Sequence, residues 1–479
     1  MDGIETELDR EELIALVVDL RKEIVSLRKR IEELEGKKPT KRLDESYSLR
    51  AEERRQDLKQ QKTSGKKRKQ NSERRGRRKT QEKIDEADRA ENVLPDGCDF
   101  DGCTFVRERP IWRIENGQAV SVAYQIYRGP NGQQAHIEGV LPHCEFGIEI
   151  HISIAYLTFI TGLSMDKVCA QLKFFWNLDL SKSQADALLN QLSKQWENEF
   201  ESLCTLLAIS AVVNTDETSW SINSVWAFLS EKVRILVFGC RKDGATLATL
   251  LDKKTFQGVL TSDDAAVYRG FSKAQKCWAH LIRKAIRLVL LDPENEEYRR
   301  FLDQMLDTYR TAQKFAADKR LGAAGREQKV FLLMDKVCEM CGDRFADDSV
   351  PQTDTEKDFR NLVHEIVRLQ GDEELFTFVK FPEATGTNNS AEQTLRQSAQ
   401  DRKTCRTSKT LKGARRRTVL VSVFESLRLH VADFTLEGIL GETTSWLNTG
   451  QSLFDQLLEN HGLSPPEESI LKKLIPTTD

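Results

Sequence analysis

The 479-residue chain lacks any long apolar run. No window approaches the roughly 18 uninterrupted apolar residues of a membrane-spanning helix. The nearest, Leu281–Leu291, is short and broken by Arg283, Lys284 and Arg287. No membrane partner is therefore expected. A signal peptide is also lacking, and the 10 Cys have no regular spacing. Reduced thiols in a cytoplasmic setting are expected rather than a disulfide framework. Net charge is nearly absent, at −3, but that sum hides an uneven distribution. The length suggests about three domains with a large core.

Residues 11–35 read as a helix with a heptad seam. Leu13, Val17, Leu20, Ile24, Leu27, Ile31 and Leu34 alternate spacings of four and three. β-branched residues at a and Leu at d favour a parallel two-stranded coiled coil, hence a homodimer or higher assembly. The plainer alternative is one amphipathic helix packed on its own chain. Residues 37–80 differ in kind, with about 18 Lys and Arg against about 6 Asp and Glu and few large apolar residues. Such a segment is solvated and poorly ordered alone. It is either a linker or an arm for DNA phosphates, with Lys66, Lys67, Arg68, Lys69, Arg74, Arg75, Arg77 and Arg78 the densest cations.

Residues 96–147 read as a small β-rich module. Trp112–Ile114, Ala119–Tyr127 and Gln134–Val140 are strand-like, split by Asn116-Gly117 and by Gly129-Pro130-Asn131-Gly132. Cys98, Cys103, His143 and Cys144 are candidate zinc ligands, although neither pair has C-x-x-C spacing; ordinary thiols are the alternative. Residues 148–205 are helical. Ser181-Lys182-Ser183-Gln184 opens one helix in a pattern that fits either a DNA-binding helix-turn-helix or a plain helical subdomain.

Three short segments then close on acid. An apolar run ends in NTDETSW, with Asp216; a second ends in SDDAAVY, with Asp263; NNSAEQTLR opens a helix with Glu392. A carboxylate at the end of a buried strand is expensive unless it binds something positive. The predicted order is three consecutive strands, a helix at Gly244–Leu251 and a fourth strand at Gly258–Thr261. With acids on the first and fourth strands, this is the pattern of a ribonuclease-H-like α/β core. It spans 209–291 and 382–431, interrupted by a helical insertion at 292–381 and followed by a C-terminal tail, 432–479, expected to be peripheral after Gly450. Three acids from separate elements suffice for two magnesium (or manganese) ions, because water and phosphate complete the shells. Glu217 and Asp264 are read as surface carboxylates. Arg396 lies one turn after Glu392 on the same helix face; with Arg402 and Lys403 it is a candidate DNA-phosphate contact. Lys409, Lys412 and Arg415 to Arg417 extend the same cationic patch.

NTDETSW, SDDAAVY, CWAHLIRKA, NNSAEQTLR and RKTCRTSKTLKGA, in that order, resemble the DDE-type transposases of the insertion sequence 66 family. The resemblance covers most of the chain. It implies that Asp216, Asp263 and Glu392 are the catalytic, metal-binding acids. It places a C-x-x-H motif on Cys277 and His280, with His280 either near DNA or metal or purely structural. It implies binding of terminal inverted repeats and target DNA, end cleavage, strand transfer, accessory proteins from the same element, and a bacterial, nucleoid-associated setting. The chain departs from the family at Gln393, where Arg is common. A catalytically decayed DNA-binding derivative is the alternative.

Overall fold

The computed structural model describes residues 79–346 and 350–476. The heptad segment and the cations from Lys66 to Arg78 lie outside the described residues. After a short helix, Thr80–Asp85 (α1), a three-stranded sheet forms from Arg89–Val93 (β1), Thr104–Glu115 (β2) and Gln118–Arg128 (β3) in the order β1-β3-β2. β2 and β3 form the expected hairpin. Asn116 and Gly117 both take positive φ, +50° and +74°, as a two-residue hairpin turn requires. The strand expected at Gln134–Val140 does not form. That segment makes only isolated bridges, Arg128 to Gln134 and Val140 to Gly147. The free side of β3 is taken instead by β1, in parallel; its sequence, RAENV, carries too little alternation to announce a strand.

Ile148–Ala155 (α2) continues into one π-helical turn, Tyr156–Ile160, and is followed by Met165–Trp176 (α3), Lys182–Gln195 (α4) and Glu197–Ala208 (α5). α4 starts where Ser181 and Gln184 cap each other reciprocally. These helices share one apolar core with the larger sheet, through Trp196, Phe200, Phe228 and Phe424 among others.

The larger sheet comprises Val212–Ser219 (β4), Ser224–Leu229 (β5), Arg234–Cys240 (β6), Val259–Ser262 (β7) and Ala274–Lys276 (β8), in the order β6-β5-β4-β7-β8. β4, β5 and β6 are an antiparallel meander; β7 lies parallel to β4, and β8 parallel to β7. The crossover from β6 to β7 passes through Gly244–Leu250 (α6), capped by Asp243. This mixed α/β arrangement is compatible with a ribonuclease-H-like core. Every residue of β5 is buried, which explains its continuous apolar sequence.

Trp278–Leu291 (α7) leads into Glu296–Ala317 (α8), Ala323–Phe345 (α9), Asp354–Gly371 (α10) and Thr377–Lys380 (α11). These helices build a second apolar core around Phe301, Met305, Leu333 and Ile366. The chain returns through Asn389–Lys403 (α12) and Leu411–His430 (α13). α13 covers the exposed edge of β6. Its Thr418, Ser422 and Ser426 hydroxyls accept from the backbone N–H groups of Phe238, Leu236 and Arg234 at 2.9, 3.0 and 3.0 Å. Four helical residues rise about 6.0 Å and two strand residues about 6.6 Å, so hydroxyls four apart meet alternate strand residues. The edge is thereby satisfied and closed to further pairing.

The segment after Gly450 is not peripheral. Leu436–Thr449 (α14), Leu453–Glu459 (α15) and Ile470–Leu474 (α16) follow α13, and Phe454, Leu458, Leu471 and Ile475 are wholly buried in the main core. Glu201 on α5 accepts from Ser469 Oγ and the Ile470 and Leu471 N–H groups, capping α16. The sparse apolar residues of this tail had concealed their common buried face.

Candidate functional site

Asp216 lies on β4, the central strand, and Asp263 immediately follows β7. The parallel ladder pairs Val212 with Val259, Val213 with Leu260 and Asn214 with Thr261. Two residues beyond the last of these pairs come Asp216, still on β4, and Asp263, just past the end of β7. Glu392 lies in the first turn of α12, which packs on β4 and β5. The link is Asn388, fully buried. Its Nδ2 donates to Thr215 O at 2.7 Å, and its backbone N–H donates to Cys277 Sγ at 3.1 Å. Glu392 thus sits one helical turn beyond a residue tied to the strand that carries Asp216. Asn388 is the cap position of α12, and its side chain serves β4 instead of the helix.

The Asp216 carboxyl is pushed up to about 7, chiefly by burial. The Glu217 N–H opposes this, and the negative charges of Glu217, Asp263 and Glu392 add to it. The three carboxylates thus feel one another's charge, and one of them is largely out of water.

The neighbouring acids are engaged elsewhere. Alternation along β4 turns Glu217 away from Asp216. Glu217 is 8% exposed rather than a surface carboxylate, and it accepts from the Tyr268 hydroxyl and pairs with Lys242. Asp264 likewise pairs with Arg368 and, at 4.0 Å, Arg269. Glu392 Oε1 accepts from Arg283 Nη2 at 2.7 Å and lies 3.5 Å from His280 Nδ1. A cavity of about 720 Å³ opens beside Asp263, lined by Asp264, Arg269, Lys276, His280 and Arg368 among others. Sequence reasoning missed Asn388, Arg283 and Lys276. Lys276 is 1% exposed and donates to Ser262 Oγ at 3.2 Å. Arg283, one turn past His280 in CWAHLIR, was legible as a spacing; the partner of Asn388 was not.

Arg396, Arg402 and Lys403 are exposed on α12, and Arg402 donates to Ser219 O at 3.0 Å. In the expected extension of this patch Lys409 and Lys412 are exposed, but the three arginines are engaged elsewhere. Arg417 is buried against Asp401 and lies over the Trp220 and Phe238 rings. Arg415 pairs with Glu197 and Arg416 with Asp186. Acids on distant helices neutralise a run that reads as free charge in sequence.

The four expected zinc ligands do not assemble. Cys98 and Cys103 lie at the open end of the β2–β3 hairpin, near Gln133. Cys144 lies near Trp112, whose N–H donates to Glu145 O at 2.8 Å. Thr104 to Trp112 is about 26 Å of strand. Cys144 Sγ instead meets His151 Nε2 at 3.4 Å, and His143 is exposed at φ +57°. Among the described residues, the one group of three or more potential ligands drawn together is Cys277, His280 and Glu392.

The mixed α/β core carries Asp216 on its central strand, Asp263 just past the neighbouring strand and Glu392 on a helix packed against the sheet. The family model described as Transposase IS66 family matches residues 143–416, more than half the chain, and the chain belongs to that family. All three acids and the C-x-x-H motif fall inside the match. No curated protein matches the chain. Among the described residues no helix is long and apolar enough to cross a membrane.

Proposed function

We propose that Asp216, Asp263 and Glu392 are the catalytic acids of a DNA transposase. It binds the terminal inverted repeats of its element, cleaves at the ends, and joins the freed 3′-hydroxyls to target DNA. The observation that carries this reading is the convergence of the three acids. Burial raises the Asp216 carboxyl, with the charges of Glu217, Asp263 and Glu392 adding to it, while the adjacent Glu217 and Asp264 are paired with cations. Magnesium or manganese, when bound, would activate the attacking oxygen and stabilise the leaving one. Asp216, between the other two, would be shared; Asp263 and Glu392 would each complete one site. Glu392 must first release Arg283, which is then free to hold a phosphate. Arg396, Arg402 and Lys403 would hold the DNA backbone along α12. Water serves as nucleophile for cleavage and the 3′-hydroxyl for joining; both attack in line at phosphorus, with no covalent protein intermediate.

The remaining assignments follow from this reading. The heptad at 11–35 pairs subunits so that two DNA ends meet in one complex, and the basic segment 37–80 supplies sequence-independent affinity. The helical segment 148–205 contributes to recognition of the repeat, and accessory proteins of the same element assist. The test is a labelled duplex carrying the element's own terminal repeat, with and without magnesium and with any accessory proteins present. Nicks bearing 3′-hydroxyls are expected only with magnesium. Salt-sensitive binding without nicks under either condition supports the decayed DNA-binding alternative instead.

A further inference from the structure

We propose that Cys277, His280 and Glu392 form a zinc-selective site that shares Glu392 with the carboxylate cluster and, when filled, withdraws it. The regulatory half of this proposal rests on the catalytic reading above; the metal site does not.

The ligand atoms of the three residues lie within 4.8 Å of one another. Cys277 immediately precedes α7 and His280 lies in its first turn, where the His280 N–H donates to Cys277 O at 3.1 Å. This local geometry sends the thiol and the imidazole the same way. His280 Nδ1 is buried and has no hydrogen-bond partner. It stands 3.5 Å from Glu392 Oε1. That separation makes no hydrogen bond here, but it matches the edge of a tetrahedron with bonds of about 2.0–2.2 Å, roughly 3.3–3.6 Å. A buried ring nitrogen without a partner carries an unmet desolvation cost; a metal ion at the centre of the group would relieve it. Sulfur, nitrogen and one carboxylate oxygen suit zinc and not magnesium, which takes oxygen. Three protein ligands leave the fourth position to water.

The two sites compete because Glu392 is one carboxylate. Held on the Cys277–His280 side, it cannot complete the set with Asp216 and Asp263. Arg283 now neutralises Glu392; zinc would displace that guanidinium. Occupation by zinc therefore opposes magnesium-supported chemistry without occupying the position between Asp216 and Asp263.

The test titrates the full-length, reduced protein with cobalt(II), a spectroscopic substitute for zinc. A thiolate-to-cobalt charge-transfer band is expected, displaced by zinc and not by millimolar magnesium. Cys277→Ser should remove the band; its hydroxyl still accepts from the Asn388 N–H, and an unchanged melting temperature verifies that it folds. His280→Ala and Glu392→Gln should each weaken cobalt binding about 10-fold or more, and Asp216→Asn should leave it unchanged. No band in the wild type, or its survival in Cys277→Ser, overturns the site. Zinc should also slow magnesium-supported end cleavage, and Cys277→Ser should raise the zinc concentration for half-inhibition about 10-fold or more; an unshifted midpoint overturns the regulatory half. If cobalt behaves as expected while DNA is never cut, the catalytic reading and the regulatory half fail together and the metal site stands. If DNA is cut but no band forms, the reverse holds.

Discussion

The two sheets of this protein each carry candidate ligands, and they dispose them differently. On the five-stranded sheet, Asp216 and Asp263 lie at neighbouring positions of parallel strands, and Asn388 ties the helix bearing Glu392 to the same strand. On the three-stranded sheet, Cys103 and Cys144 sit at different points along a long hairpin. Parallel neighbours end together, so residues distant in sequence meet at one edge. Antiparallel strands of 12 and 11 residues carry their flanks apart. Topology separates Cys98 and Cys103 from Cys144 on the smaller sheet, and on the larger it sets Asp216 on the strand next to the one that Asp263 follows.

The sharpest way to break the comparison is to substitute its members one at a time. Asp216→Asn or Glu392→Gln should lower end cleavage by about 10³-fold or more, with DNA binding kept, because the oxygen-donor set is incomplete. His143→Ala should leave cleavage within about twofold. Equal losses in both regions would erase the distinction.

A buried acid paired with a cation should behave differently from one without such a partner. Asp401 is 2% exposed and bonded to Arg417. Asp401→Asn leaves a buried guanidinium uncompensated and should cost about 3–5 kcal/mol in chemical denaturation, whereas Asp216→Asn should not destabilise the metal-free protein. Asn388→Ala should fall between, losing about 1–3 kcal/mol because Thr215 O is left without its donor. It should also reduce cleavage, since Glu392 loses its anchor.

The core beneath the sheet supplies a pH test. Burial pushes the Glu199 carboxyl up to about 7, with Asp455 adding to it, and one of its oxygens has no hydrogen-bond partner. The folded state therefore holds a proton that the unfolded state releases near 4.5. Stability from this group is greatest below that value and is lost as pH rises through about 7. Glu199→Gln should stabilise by about 1–3 kcal/mol at pH 8 and by much less at pH 5. The smallest effect belongs to the three-stranded sheet: Cys98→Ser and Cys103→Ser should each change stability by less than about 0.5 kcal/mol.

Much of the five-stranded sheet was legible because its strands are short, apolar and punctuated by turns. Arg234–Cys240 and Val259–Ser262 announce themselves, as does the helix between them at Gly244. Asp216 and Asp263 were legible because each ends such a run, and Glu392 because it opens a helix after a polar loop. What sequence could not supply was pairing across distance. Arg415, Arg416 and Arg417 read as a cationic surface until Glu197, Asp186 and Asp401 are set against them. Glu217 reads as surface charge until Tyr268 and Lys242 close on it. β1 was invisible because parallel pairing to β3 demands little of its side chains.

The central claim, that the acids act as one centre, is tested most directly by cleavage of the element's own end in magnesium by wild type and Asp263→Asn, side by side. The account predicts that wild type nicks at the end while the variant binds with the same salt dependence and does not cut. Equal cutting by both would contradict it and remove Asp263 from the centre.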